Sequence, residues 1–321
     1  MNKFLFSMLI GIAALATCVN ASAQNSYPNK PITIVVPFGP GSGTDIATRL
    51  IAQQLGEAMK TTVIVDNKPG ANGSIAAEHV LNARPDGYTL IMGTNSTHGA
   101  NPALFKNIRY DPVKDFEPVN RIVVFTSIVA INPKLPVNTM KELIDFGRKN
   151  EVTLAVGNAT GTVQGETLAR AAGWKNLLRV TFRSNPPAMA EVMAGRINMM
   201  FSDIAAAQTQ IKAGTLKAIA VTSKNRSALM PELPTVMESG IKDFDLSGWN
   251  ALFAPAGTPK EIVDKLNREI TTILQKPQIK TRFEEMGAET GPLTTTEFKK
   301  WVQDEVNMWT KLVNEANIKF G

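Results

Sequence analysis

The sequence predicts an α/β protein built as two lobes. Short β-branched apolar runs alternate with amphipathic stretches, the alternation occurs twice, and two long extended segments join the two sets. In the first set, residues 32–36 (ITIVV) read as a buried strand. A helix over 45–59 follows, with Ile46, Leu50, Ala52, Leu55 and Met59 near one face. A strand over 62–65, a helix over 73–83 and a strand over 88–92 complete it. The second set reads as strands over 153–156, 178–182, 197–201 and 216–221, with helices over 163–172, 186–194 and 204–213 between them. This order predicts mainly parallel sheets flanked by helices. The C-terminal quarter reads as helices over 259–275, 278–286 and 295–317, the first two separated at Pro277.

The joining segments are residues 120–131 and 246–254, both apolar and extended in pattern. Two such hinge crossings make the first lobe discontinuous. The expected division is 24–124 with 247–321 in lobe one and 125–246 in lobe two.

Residues 1–23 read as a secretory leader. Lys3 precedes an apolar run over 4–19, and Ala21-Ser22-Ala23 supplies small residues for cleavage near Ala23. The rival reading is a lipid anchor on Cys18. Cys18 is the only cysteine, so the mature chain is expected to carry no disulfide, thiol nucleophile or cysteine metal site. Lys and Arg number 34 against 28 Asp and Glu, for a net charge of +6. The basic residues are dispersed, without a stripe interleaved with aromatics, which argues against nucleic acid and suits small anions.

Three strand-to-helix junctions offer chemistry. The first is Phe38-Gly39-Pro40-Gly41-Ser42-Gly43-Thr44-Asp45. Glycines bring backbone N–H groups close, Ser42, Thr44 or Asp45 can cap the helix, and the helix N-terminus favours an anion. It fits neither a Walker A loop nor the dinucleotide glycine pattern. The second junction is Gly157-Asn158-Ala159-Thr160-Gly161-Thr162, in the other lobe. The third holds Asn95, Ser96 and His98. In open α/β sheets ligands gather at such carboxyl ends of strands. Arg183 could pair with a carboxylate or lie in solvent. Asp203 could accept a hydrogen bond from a ligand or cap a helix. Trp249 could wall the cleft or pack at the hinge. No catalytic constellation, metal cluster or cofactor motif is evident; His98 with Ser96 or a cleft Asp is the candidate for an exported hydrolase or other enzyme.

Seven segments in this order resemble the extracytoplasmic receptors of tripartite tricarboxylate transporters, the Bug family. They are residues 31–49 (PITIVVPFGPGSGTDIATR), 65–73 (VDNKPGANG), 85–94 (PDGYTLIMGT), 110–119 (YDPVKDFEPV), 194–201 (AGRINMMF), 233–240 (LPTVMESG) and 252–267 (LFAPAGTPKEIVDKLN). The resemblance implies a two-lobed periplasmic-binding-protein fold, type II-like. It implies a monomeric receptor that takes a small carboxylate, di- or tricarboxylate with aromatic acids in range, and passes it to a membrane permease. It also implies ligand contact from 40–45 and 158–162. The pattern departs at Ala159, where the family usually has glycine, at Gly165, where a histidine usually follows, and over 184–187. A receptor serving a membrane sensor fits the same residues.

Overall fold

A computed structural model describes residues 27–316 and 318; the leader and Cys18 lie outside the described residues. Eleven strands and ten α-helices form two sheets with helices on both faces. Sheet one contains β1 (Ile32–Val36), β2 (Val63–Asn67), β3 (Thr89–Thr94), β4 (Phe116–Phe125), β10 (Gly248–Pro255) and β11 (Ala288–Thr290), in the order β11-β4-β10-β3-β1-β2. Sheet two contains β5 (Ser127–Ile131), β6 (Val152–Val156), β7 (Leu177–Thr181), β8 (Met199–Asp203) and β9 (Lys217–Val221), in the order β7-β6-β8-β5-β9. In chain order the helices are α1 (Gly43–Met59), α2 (Ser74–Leu81), α3 (Asn101–Leu104), α4 (Met140–Lys149), α5 (Ala159–Ala172), α6 (Asn185–Met193), α7 (Ile204–Lys212), α8 (Lys260–Gln275), α9 (Pro277–Glu284) and α10 (Thr295–Glu315).

The sheets are mixed, which corrects the expectation of mainly parallel pairing. β1 pairs parallel with β2 and β3, and β6 with β7 and β8. The crossing strands break the pattern: β10 runs antiparallel to β3 and β4, and β5 antiparallel to β8 and β9. Direction explains this. β4 runs toward the cleft and continues past Thr126 as β5, so β5 enters sheet two against strands whose carboxyl ends point at the cleft. β10 returns the same way into sheet one.

Period-two alternation builds a core on each face. Ile32, Ile34, Leu90 and Met92 face α1 and α8, whereas Val35 and Ile91 face α2 and α10. In sheet two, Val129, Ile131, Leu154 and Val156 face α4 and α5, and Ile128, Ala130 and Ala155 face α6 and α7. A smaller apolar cluster joins the lobes: Trp309 and Val313 of α10 meet Ala100 and Leu104 on one side and Ala159 and Val163 on the other.

Several elements escape the pattern reading. α4 is held by the Thr139 cap and by Met140, Leu143 and Ile144 on its buried side. α5 begins at Ala159, four residues before the expected start, because Asn158 caps it by accepting from the Gly161 N–H at 2.8 Å. After β3 the chain makes a wide π turn over Ser96–Ala100 that leads into α3. Among the described residues, no helix is long and apolar enough to cross a membrane.

Candidate functional site

The three junctions singled out in the sequence converge where the two sheets face each other. In the first, Ser42 caps α1, its Oγ accepting from the Asp45 N–H at 3.2 Å. Gly41 takes φ +79, a conformation that favours glycine. Asp45 turns inward. It accepts from the Gly41 N–H at 2.9 Å, from Arg49 Nε at 3.0 Å and from Asn67 Nδ2 at 2.9 Å. Burial alone would raise its carboxyl, but Arg49, Gly41 and Asn67 together hold it below the ordinary aspartate range. Asp45 is therefore the buttress of the loop. A depressed carboxylate stabilises the fold above its unfolded pKa, and that contribution is lost as pH falls through the folded value, below about pH 4. Asp45→Ala is expected to cost about 2–3 kcal/mol at pH 7, read by urea unfolding, and less at pH 3. An equal cost at both pH values would remove the buttress role.

In the second junction, Thr160 reaches across to the third. Its Oγ1 lies 2.9 Å from Ser96 Oγ, and its N–H donates to the same oxygen at 3.2 Å. Gly161 and Thr162 form the first turn of α5, where the Thr162 Oγ1 donates to the Asn158 carbonyl at 3.4 Å. A further inter-lobe contact joins Asp203, at the N-terminus of α7, to Gly43: the Asp203 carboxylate accepts from the Gly43 N–H. Burial pushes that carboxyl up to about 6, against the lowering effect of the Gly43 N–H and of its own. The lobes are closed, and the cavity between them measures about 20 Å³, room for about one water centre.

Of the residues singled out in the sequence, Phe38, Thr44, Asn95, Ser96, Asn158, Thr160 and Asp203 line this cavity. Gly43 lines a second small pocket that shares Phe125 and Asp203 with the first. Ser42, Asp45, Gly161 and Thr162 shape the loops from behind. Pro40 and Gly41 are exposed at the rim. Three expectations are corrected. Arg183 is exposed and lines neither pocket, because it follows β7, the edge strand of sheet two. The Trp249 side chain lies in the core of lobe one, edge-on to Trp301 at 4.9 Å, with Nε1 donating to Glu305 at 2.6 Å. His98 is fully buried, stacked on Phe253 at 4.0 Å and bonded through Nδ1 to Thr97 Oγ1 at 2.9 Å. Burial pushes its pKa down to about 3, so it stays neutral, and it does not meet Ser96.

The two pockets also take residues the sequence reading missed. Phe125 and Ser127 flank the first crossing. Gln164, one turn into α5, donates to the Leu246 carbonyl at 2.8 Å and ties the second junction to the other crossing. Asn250 sits in β10, a strand whose every residue is buried. A lone amide in such a strand was the available signal: a buried polar group needs a partner, and here one of its atoms has none.

Two α/β lobes closed on a polar cavity at the carboxyl ends of their strands define a solute-binding protein of the periplasmic type. Residues 47–318 match the family described as the tripartite tricarboxylate transporter family receptor. The chain belongs to that family. It is 36% identical to a UPF0065 protein of Agrobacterium vitis, over 97% of this chain and 92% of the relative. Among solved structures it resembles MatC from Rhodopseudomonas palustris with bound malate: 30% identity, TM-score 0.85, covering 89% of this chain and 100% of that one. A second R. palustris protein, solved with adipate, superposes with TM-score 0.88 at 30% identity, covering 91% of this chain and 99% of its own.

Proposed function

We propose that this protein is a periplasmic receptor that captures a small organic carboxylate between its lobes and hands it to the membrane permease of a tripartite transporter. The observation that carries the reading is the Ser96–Thr160 contact, with hydroxyls and a helix N-terminus from opposite lobes meeting in one polar cavity. Such groups replace water around a carboxylate without a fixed cation. The malate and adipate held by the two R. palustris relatives support a carboxylate here. The hinge runs through Thr126 and the segment before β10, dividing the chain into lobes over 24–124 with 247–321 and over 125–246. Closure is a population shift set by the ligand's preference for the closed form.

A thermal-shift screen of mono-, di- and hydroxycarboxylates tests this. At least one acid at about 100 times its Kd is expected to add about 2.7 kcal/mol to the stability. A flat response across the library would overturn the carboxylate reading. Delivery is tested separately, by uptake of that labelled acid in cells with and without the receptor.

A further inference from the structure

The charge inside the cleft is unexpected for an acid-binding site. No lysine, arginine or histidine lines either pocket, and the only charged side chain in them is Asp203. Two buried polar atoms lack partners there: the Asn95 amide nitrogen and the Asn250 amide oxygen. Both side chains are almost fully buried, Asn95 at 2% exposure and Asn250 at 1%. Their orientations are fixed by one residue's backbone. The Trp249 N–H donates to Asn95 Oδ1 at 3.4 Å, leaving Nδ2 free to donate. Asn250 Nδ2 donates to the Trp249 carbonyl at 3.0 Å and to Thr44 Oγ1 at 3.2 Å, leaving Oδ1 free to accept. Reversing either amide would set donor against donor or acceptor against acceptor.

The cavity therefore has two poles. Asn95 Nδ2, the Ser96 and Thr160 hydroxyls and the start of α5 offer donors. Asp203, which lines both pockets together with Phe125, and Asn250 Oδ1 at the second pocket offer acceptors. A carboxylate suits the first pole. Another carboxylate placed beside Asp203 and the Asn250 lone pair would meet two acceptors, one of them charged, an arrangement that disfavours it.

We propose that Asp203, with Asn250, is the specificity-determining residue of this receptor: it selects carboxylic acids whose far end carries a hydrogen-bond donor, an ammonium before a hydroxyl, and refuses a second carboxylate. This rests on the carboxylate-receptor reading and narrows it, away from plain di- and tricarboxylates. Above about pH 6 the Asp203 carboxyl is charged, so an ammonium there is paired and a carboxylate is opposed.

The test compares matched acids that differ only at the far end: butyrate, 4-hydroxybutyrate, 4-aminobutyrate and succinate, with the six-carbon set hexanoate, 6-hydroxyhexanoate, 6-aminohexanoate and adipate. Dissociation constants are measured by calorimetry at pH 7.5 on the wild-type protein and on Asp203→Asn. Asparagine keeps the shape and is a good helix cap, and an unchanged unfolding midpoint confirms folding. In the wild type, the amino acid of the binding set is expected to outcompete its diacid by about 100-fold. In Asp203→Asn, whose amide can donate to a second carboxylate, that preference falls by at least about tenfold. A wild type that binds the diacid as tightly as the amino acid, or a variant with unchanged ranking, overturns the proposal and leaves the receptor reading standing. Absence of binding by all eight acids to both proteins overturns both.

Discussion

Trp309→Ala is expected to destabilise the protein by about 3–5 kcal/mol, the range for removing a buried tryptophan. Trp309 is fully buried and sits where three parts of the molecule meet. Its ring lies against Gly99 so closely that a Cβ there would come to 2.8 Å of it. Its apolar neighbours belong to both lobes, Ala100 and Leu104 in one and Ala159 and Val163 in the other. Its Nε1 donates to Glu305 at 2.9 Å, beside the Trp249 indole that donates to the same oxygen. Burial raises the Glu305 carboxyl, and the two indoles and Arg121 oppose that rise. Truncation thus opens a cavity, removes one of two donors from a buried carboxylate and unties α10 from the second lobe. Trp309→Phe keeps most of the apolar contact and loses only the donor, so about 1–2 kcal/mol is expected. Urea unfolding of both variants checks the pair. A loss below about 1 kcal/mol in Trp309→Ala would show that the end of α10 unfolds apart from the rest.

That cluster also shows where pattern reading stops. The strand and helix order was legible because burial on two faces writes period two and period 3.6 into the chain, as in 32–36 and 45–59. The pairing sense of β5 and β10 was not. A crossing strand is as apolar as a parallel one, and its direction depends on which lobe the chain comes from. The π turn over Ser96–Ala100 was equally hidden, since its residues are packed against Trp309 and Val313 of α10, more than 200 positions away.

The site divides in the same way. Gly41, Ser42 and Asn158 announce loops and caps through local chemistry, and they hold those roles here. Whether a side chain faces ligand or props the loop depends on tertiary partners. Asp45 looked like a ligand group and is occupied by Arg49 and Asn67; Asn250 looked like a strand residue and lines a pocket with its amide oxygen unpaired. Trp249 contributes through its backbone, which orients Asn95 and Asn250, while its ring packs in the core.

Gly43→Ala is expected to weaken ligand binding by about 10- to 100-fold while leaving the ligand-free protein as stable as wild type. Gly43 opens α1 at a negative φ, so alanine meets no local strain. Across the cleft, however, a Cβ at this position would overlap the Asp203 carboxylate. Asp203 is carried on the end of β8 and the start of α7, which cannot retreat without disturbing the core of sheet two. Separation of the lobes relieves the overlap. Overpacking of this kind costs about 1–3 kcal/mol, and here the cost falls on the closed form alone. Apparent affinity falls by the fraction of molecules that remain able to close. Calorimetry gives the affinity, urea unfolding without ligand the stability, and small-angle scattering with ligand present a larger radius for the variant. Asp203→Ala in the same chain removes the obstructing atoms, so closure returns and the two changes are strongly non-additive. A Gly43→Ala protein that binds like wild type, or one whose stability falls as far as its affinity, would show that the Gly43–Asp203 contact is not the point at which the lobes meet on closing.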